Sequence, residues 1–482
     1  MGVYSLMRPP RTGRRCIEVQ RGCVIGWSGR GGAKTRTAQG RGLTTDVVAA
    51  QAGGSWAPRA GVLDQSAGVP LERELSLEDA ESRARAEVAA LGWRARLDRL
   101  SASEPTAVRA ALVEPDGAAV PGGVGAGKGD ARSATVGALF EALEHAFTGP
   151  AAVGEWPLRA VPVEQVAAGP LAVDAAIAEL ARTASTHLAS VPHTSARDGR
   201  PVDVPLFLWA PWSTAGDRAG WRLGVGDDTD YSRVKAYSVN TGCAIGATED
   251  EAVLHALGEC VERDAFSLFL LRCVHDRAVV PRRLARALLS EDLGDLVVAA
   301  EEVVGGEVEL FDLTTDLDVP VVLALVRHTS GPAVARHGLG ASLSAAHAVL
   351  RAVTELVQVV LVARGLDLLA HDAAVTRAVG RHAGLLACAR LEVPDVVVDA
   401  AETAVRFSRD TVTASVAQLR GQITERLLAA GHDVLVGRLV TLPHGTTAVH
   451  VHCPGLERFH LVLDGHVALP GPRARRLRRT GG

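Results

Sequence analysis

The sequence predicts a mixed α/β fold, with amphipathic helices packed on mixed sheets. Three observations carry that expectation. Apolar residues recur at helical spacing in several long stretches. Short apolar runs rich in valine and leucine alternate with them, but without strict βαβ order. Hydrophobic residues make up 47% of 482 positions, enough for a sizeable core in one large domain or two ordinary ones.

Residues 1–67 show no usable period and are expected to form a disordered basic tail, holding only Glu18 and Asp46 as acids before residue 60. Order begins at residue 68. Leu77, Ala80, Ala84, Val88 and Leu91 keep helical spacing behind Ser76 as N-cap, and Gly92 ends the helix. Residues 107–120 alternate weakly, as a strand does. Gly125 to Gly129 surround Lys128 and read as a loop. No GxxxxGK[ST] pattern is present, which excludes a Walker-type phosphate loop. A helix carrying Glu141 and Glu144 follows. Residues 171–191 are expected to be helical, and 202–212 a strand bounded by prolines. Gly242 and Gly246 form a turn into a helix starting near Glu249. Another helix is expected over 281–302, then strands at 307–312 and 320–326. Residues 338–365 read as one long helix opened by glycine and serine. A helix over 411–430 and strands at 434–440 and 446–453 complete the domain, which is expected to span 68–475. Residues 476–482 are expected to be a basic tail, and a chain cut before Pro470 is expected to fold.

Charge and cysteine usage narrow the function classes. A net charge of −4 gives no general case for nucleic acid. The seven cysteines are odd in number and lack a Cys-x-x-Cys pair, which argues against a disulfide framework or structural zinc and for a cytoplasmic setting. No secretory signal precedes the domain, and no uninterrupted apolar run reaches membrane-spanning length, so no membrane partner is expected. Lysine is rare, standing only at 34, 128 and 235.

The chemistry lies on three helices. With Glu251 at zero, a step of about 100° per residue puts His255 near ~40°, Glu259 near ~80° and Glu262 near ~20°. Val253, Leu257, Cys260 and Val261 fall on the other side. Glu141 and Glu144 share a face of an earlier helix. Arg351, Glu355 and Gln358 share a face of a later one. Like charges three or four apart repel, so such a row needs water or a cation. Carboxylates and amides without cysteine are hard oxygen ligands that suit Mg²⁺. That ion normally keeps waters or substrate phosphates, which arginines can also grip. Each residue has a plainer account. Thr248 and Glu251 have capping-box spacing. His255 has no second histidine or cysteine at zinc-ligand spacing and reads as a surface or supporting residue. Arg263 beside Glu259 and Glu262 suits a helix ion pair. Asn240 suits a turn. A lone ExxE pair is most often a solvated face.

The motifs GALFEALEH (137–145), NTGCAIGATEDEAVLHALGECVERDAF (240–266) and RAVTELVQ (351–358) together resemble the YcaO domain family. The resemblance implies ATP bound through Mg²⁺ between these helices. It assigns Glu141, Glu144, Glu259 and Glu262 to the metal. It assigns Glu251, Arg263, Arg351 and Glu355, with Asn240 and Gln358, to the nucleotide or its metal. It also implies phosphorylation of a peptide backbone amide oxygen. Attack by a neighbouring Cys, Ser or Thr then gives an azoline ring, and attack by sulfide a thioamide. The expected partners are a precursor peptide and a second protein, either E1-like and leader-binding or TfuA-like; a homodimer is also allowed. Gly137 and His145 stand where the family usually shows Ser and Arg. The Pro-x-Pro-x-Pro end of azoline-forming members is replaced by Pro470-Gly471-Pro472-Arg473, which looks more like members acting with a TfuA-type protein. Two readings of other classes are an idle scaffold that keeps the fold, and a zinc hydrolase built on Glu251, His255 and Glu259.

Overall fold

A computed structural model describes residues 68–479 apart from 184–185, 327–335, 365–367 and 400–412. The expected tail 1–67 lies outside the described residues. Helix α1 (Leu77–Ala90) is capped as the sequence predicts: the Ser76 hydroxyl accepts the Asp79 N–H, and Gly92 closes the helix at positive φ. Strands β1 (Arg94–Arg99), β2 (Thr106–Val113) and β3 (Ala119–Gly129) pair antiparallel in that order, and α2 (Ala131–Thr148) crosses them. Next come β4 (Arg159–Pro162), the short helices α3 (Val163–Ala168) and α4 (Ala175–Leu180), β5 (His187–Ser195), β6 (Pro201–Pro205) and α5 (Ala219–Gly224). Strand β7 (Cys243–Gly246) leads into α6 (Glu249–Phe269), which winds on through a π-helical turn, Leu270–His275. Then follow β8 (Arg282–Arg283), α7 (Glu291–Val304), β9 (Val308–Asp312), β10 (Val321–Val326), β11 (Arg336–Ala341) and α8 (Ala345–Ala363). The chain ends with α9 (Leu368–Val379), α10 (Ala383–Ala389), β12 (Val398–Asp399), α11 (Val416–Ala429), β13 (Leu435–Thr441), β14 (Thr447–His452) and α12 (Pro472–Arg479).

Besides the first sheet, the described residues form a second, β11-β10-β9-β8-β12, and a third, β4-β5-β13-β14-β7, with β6 on β5. The mixed α+β class is as expected; several local readings are not. The segment 171–191 is helical only to Leu180, and β5 begins at His187. This strand pairs with β4, β6 and β13, and Leu188, Ala189 and Val191 are all buried. Burial on both faces erases the alternation that marks a strand. Strand β6 stops at Pro205; the apolar run after it turns through 3₁₀ helices, with Phe207, Leu208 and Trp209 buried. Within 281–302 the helix starts only at Glu291, and 338–365 divides into β11 and α8. Helix α8 is long and apolar enough by composition to cross a membrane, but most of it is buried in the protein core between sheet and helix.

The glycines explain how three strand–helix pairs come together. A Cβ on Gly125 would stand 2.3 Å from Ala142 N, and one on Gly127 1.9 Å from Ala134 O. A Cβ on Gly246 would stand 2.5 Å from Ala252 N, and on Gly338 2.2 Å from Ala352 O. Each motif helix therefore lies directly against the glycine strand just before it: α2 on β3, α6 on β7, α8 on β11. Each also touches the strand of another pair, α2 on β7, α6 on β11 and α8 on β3, so the three pairs close a ring. The polar helix faces meet inside that ring.

Candidate active site

Glu141 and Glu259 are placed by backbone N–H groups of this ring, and Glu262 and Glu355 by its cationic side chains. Glu141 on α2 accepts the Ala126 N–H of β3 at 3.2 Å. Gly242, at φ +86° where a Cβ would strike Val451 O, donates its N–H to Glu259 at 3.0 Å. The carbonyl of Asn240 accepts the Cys243 N–H and closes that turn, so the turn role of Asn240 is seen directly. Arg263 lies 3.4 Å from Glu262 and 3.7 Å from Glu259. The Gln358 amide donates to Ala126 O, tying α8 to β3. Lys128 Nζ reaches Glu355 at 2.5 Å.

The electrostatics are those of crowded carboxylates. Burial, then the charges of Glu141 and Glu259, pushes the Glu144 carboxyl well up. Burial also raises Glu259, against the pull of Arg263 and the Gly242 N–H. Glu262 is raised by burial and by Glu355, with Arg263 opposing. Glu355 goes the other way: burial disfavours its charge, but Lys128, Arg263 and Arg351 outweigh that and hold it low. Carboxylates driven toward protonation by one another and by burial are what a divalent cation would relieve. Among the described residues no three His, Cys, Asp or Glu side chains are gathered tightly enough to hold a metal alone.

Beside the carboxylates lies a cationic group. Burial, and then the charges of Arg351, Arg73 and Lys128, hold the His255 imidazole far below its ordinary value. Buried Arg351 Nε, His255 Nδ1 and His347 Nδ1 have no hydrogen-bond partner. An unsatisfied guanidinium N–H next to crowded carboxylates fits a metal–phosphate group, so this set of side chains fits Mg²⁺ with a nucleotide. A zinc site on Glu251, His255 and Glu259 is not supported: Glu251 accepts Arg73 Nη1 at 3.2 Å and the Glu74 N–H at 3.3 Å instead. The Thr248 cap is present, its hydroxyl accepting the Glu251 N–H, but the Glu251 carboxylate is engaged elsewhere.

The structure thus brings together Glu141, Glu144, Glu259, Glu262, Arg263, Arg351, Glu355 and Gln358. Asn240 and Glu251 flank them. Sequence reasoning missed Glu72, Arg73, Ser342 and His347, which no motif marks. It set Lys128 aside once the phosphate-loop pattern failed; the rarity of lysine in this chain was the available signal.

Comparison with known proteins agrees with this geometry. Residues 126–457 match the family model described as YcaO cyclodehydratase, ATP- and Mg²⁺-binding. An uncharacterized protein in the tfuA 3′ region of Rhizobium leguminosarum bv. trifolii is 31% identical over 235 residues, 45% of this chain and 52% of its own length. An uncharacterized protein of Methanothermobacter thermautotrophicus is 37% identical over 123 residues, 25% of this chain and 31% of its own. The matched regions thus span about half or less of these relatives. The structure of YcaO from Methanopyrus kandleri bound with AMPPCP and Mg²⁺ superposes with TM-score 0.58 at 24% identity, over 84% of this chain and 97% of that one. A heterocyclase in complex with substrate and cofactor also gives 0.58, at 19% identity, over 80% of this chain and 53% of that one. At these identities the two structures speak for the fold. The family match covers more than half of the chain and includes all three carboxylate-bearing helices: this chain belongs to the YcaO family, with ATP and Mg²⁺ as the cofactors of its domain.

Proposed function

We propose that this chain activates a backbone amide of a ribosomally made peptide by O-phosphorylation, and that the amide is then closed to an azoline ring. The observation that supports this most is the ring of crowded carboxylates facing a cationic, unsatisfied donor group. Glu141, Glu144, Glu259 and Glu262 would hold Mg²⁺. Arg263, Arg351 and Lys128 would neutralise phosphoryl charge, and Glu251, Glu355, Asn240 and Gln358 would position the nucleotide or its metal. ATP, when bound, supplies the phosphoryl group that makes the amide oxygen a leaving group. The protein's own part is to fix amide and phosphoryl group against each other and to balance charge as phosphate departs with the former amide oxygen. A Cys, Ser or Thr side chain of the peptide forms the new bond to the amide carbon and loses its proton, the amide nitrogen loses its own proton as the ring C=N bond forms, and the oxygen leaves on phosphate, so the peptide loses one water overall.

A second reading is thioamide formation with a TfuA-type partner, in which sulfide forms the bond in place of the side chain. The gene position of the Rhizobium relative, beside tfuA, favours it. Incubating the protein with ATP, Mg²⁺, a neighbouring-gene precursor peptide and the partner protein, then weighing the peptide, separates the two. Loss of water supports the azoline; exchange of oxygen for sulfur supports the thioamide. An unmodified peptide with no ATP consumed would favour an idle scaffold.

A further inference from the structure

Residues 68–75 cross the site just described. Glu72 stands at φ +63°, a left-handed conformation that residues with a Cβ avoid. Its carboxylate accepts the Ser342 hydroxyl, lies 3.3 Å from Arg351 Nη1 and 3.6 Å from His347 Nε2. The next residue, Arg73, takes Glu251. One short segment thus occupies a cation on α8 and a carboxylate on α6, both assigned above to the nucleotide. Glu72 and Arg351 side chains are only 9% and 14% exposed, so the pair is largely shielded from water. Burial opposes the Glu72 charge, but His347, Arg351 and the Ser342 hydroxyl outweigh it and hold the carboxyl below its ordinary value. Even with Glu72 in place, the buried Arg351 Nε–H remains without a partner. A single carboxylate does not satisfy a group with the donor capacity for a phosphate chain.

We propose that residues 68–75 form a strap over the nucleotide site, in which Glu72 holds the place of a nucleotide phosphate on Arg351, so that strap and nucleotide compete. The inference rests on the nucleotide-site reading above. An internal anion keeps the cations from being left uncompensated before ATP arrives. The left-handed Glu72 backbone makes the closed strap easier to release, because opening relieves it. Binding of nucleotide is then coupled to opening of the strap, and apparent affinity is lowered by the fraction of protein that is closed.

The test is calorimetric titration of the full chain with the non-hydrolysable analogue AMPPCP and Mg²⁺, for wild type, Glu72→Gln and Glu72→Gly. Gln keeps the shape and removes the charge; Gly also removes the strain. The expected result is binding about tenfold tighter in both variants, the scale of one charge-assisted hydrogen bond lost by the competitor. In the wild type, amide hydrogen exchange over 71–75 is expected to quicken when the analogue is added. Equal affinity in wild type and Glu72→Gln overturns the strap while leaving the nucleotide site standing. Weaker affinity, or slower exchange over 71–75, makes Glu72 a nucleotide contact and also overturns it. A wild type that binds no analogue overturns the nucleotide-site reading and the strap with it.

Discussion

At the scale of single residues, charge crowding is the dominant fact. Glu259 and Glu262 are held against burial and against neighbouring carboxylates, so their replacement by Gln removes repulsion. The double variant Glu259→Gln/Glu262→Gln is expected to stay within about 1 kcal/mol of wild-type stability. It is expected to lose ATP turnover, measured as phosphate release. Turnover at the wild-type rate would make this face an ordinary solvated one. Buried histidines set a second expectation. Burial presses His193 from 6.5 to about 3, and His450 and His460 well below 6.5. The unfolded chain takes up protons that the folded chain refuses. Stability is therefore full above pH 6.5 and is lost as pH falls toward 3, by at most about 1.4 kcal/mol per pH unit for His193. Urea midpoints between pH 7 and 4 check this, and His193→Gln should flatten the slope. Much of this scale was legible in the sequence. Helical spacing alone put Glu251, Glu259 and Glu262 on one face. Glu72 was not legible, because it reaches Arg351 across 279 residues of sequence and carries no periodic signal.

At the scale of elements, the glycine strands and the C-terminal helix matter most. Gly127→Ala would force β3 and α2 apart, because its Cβ would lie 1.9 Å from Ala134 O. A loss of about 1–3 kcal/mol is expected, read as a lower denaturation midpoint. The sequence showed these glycines but suggested loops, since a strand so poor in side chains has no alternation to detect. The same effect hid β11 ahead of α8. Helix α12 bears on the expectation that a chain cut before Pro470 still folds, because the segment is tied into the core. Arg473 is 1% exposed and pairs with Asp264 at 3.0 Å and with Asp316. The carboxylate of Glu457 accepts the Gly471 and Ala474 N–H groups at 2.8 Å. Truncation leaves Asp264, which is 0% exposed and two residues past Glu262, without its arginine and with only the Glu457 N–H to accept. A loss of about 3–5 kcal/mol is expected for Arg473→Ala or the truncation, seen by thermal unfolding. Unchanged stability would leave the expectation of a fully stable truncated chain standing.

At the scale of the whole molecule, three glycine-strand and helix pairs from separate parts of the chain close one ring. Helical period alone identified the polar faces of α2, α6 and α8; their meeting depends on each helix packing on a strand of a different sheet, far away in sequence, which local pattern does not encode. The central claim is that the enclosed face is a Mg²⁺–nucleotide site. The most direct test is the thermal midpoint of the wild type and of Glu259→Gln/Glu262→Gln with Mg²⁺–AMPPCP, with Mg²⁺ alone and with Zn²⁺ alone. Ligand at 100-fold its Kd adds about 2.7 kcal/mol. The account predicts a clear rise for the wild type with Mg²⁺–AMPPCP only, and none for the double variant. A rise with zinc alone, or an equal rise in the double variant, would contradict it.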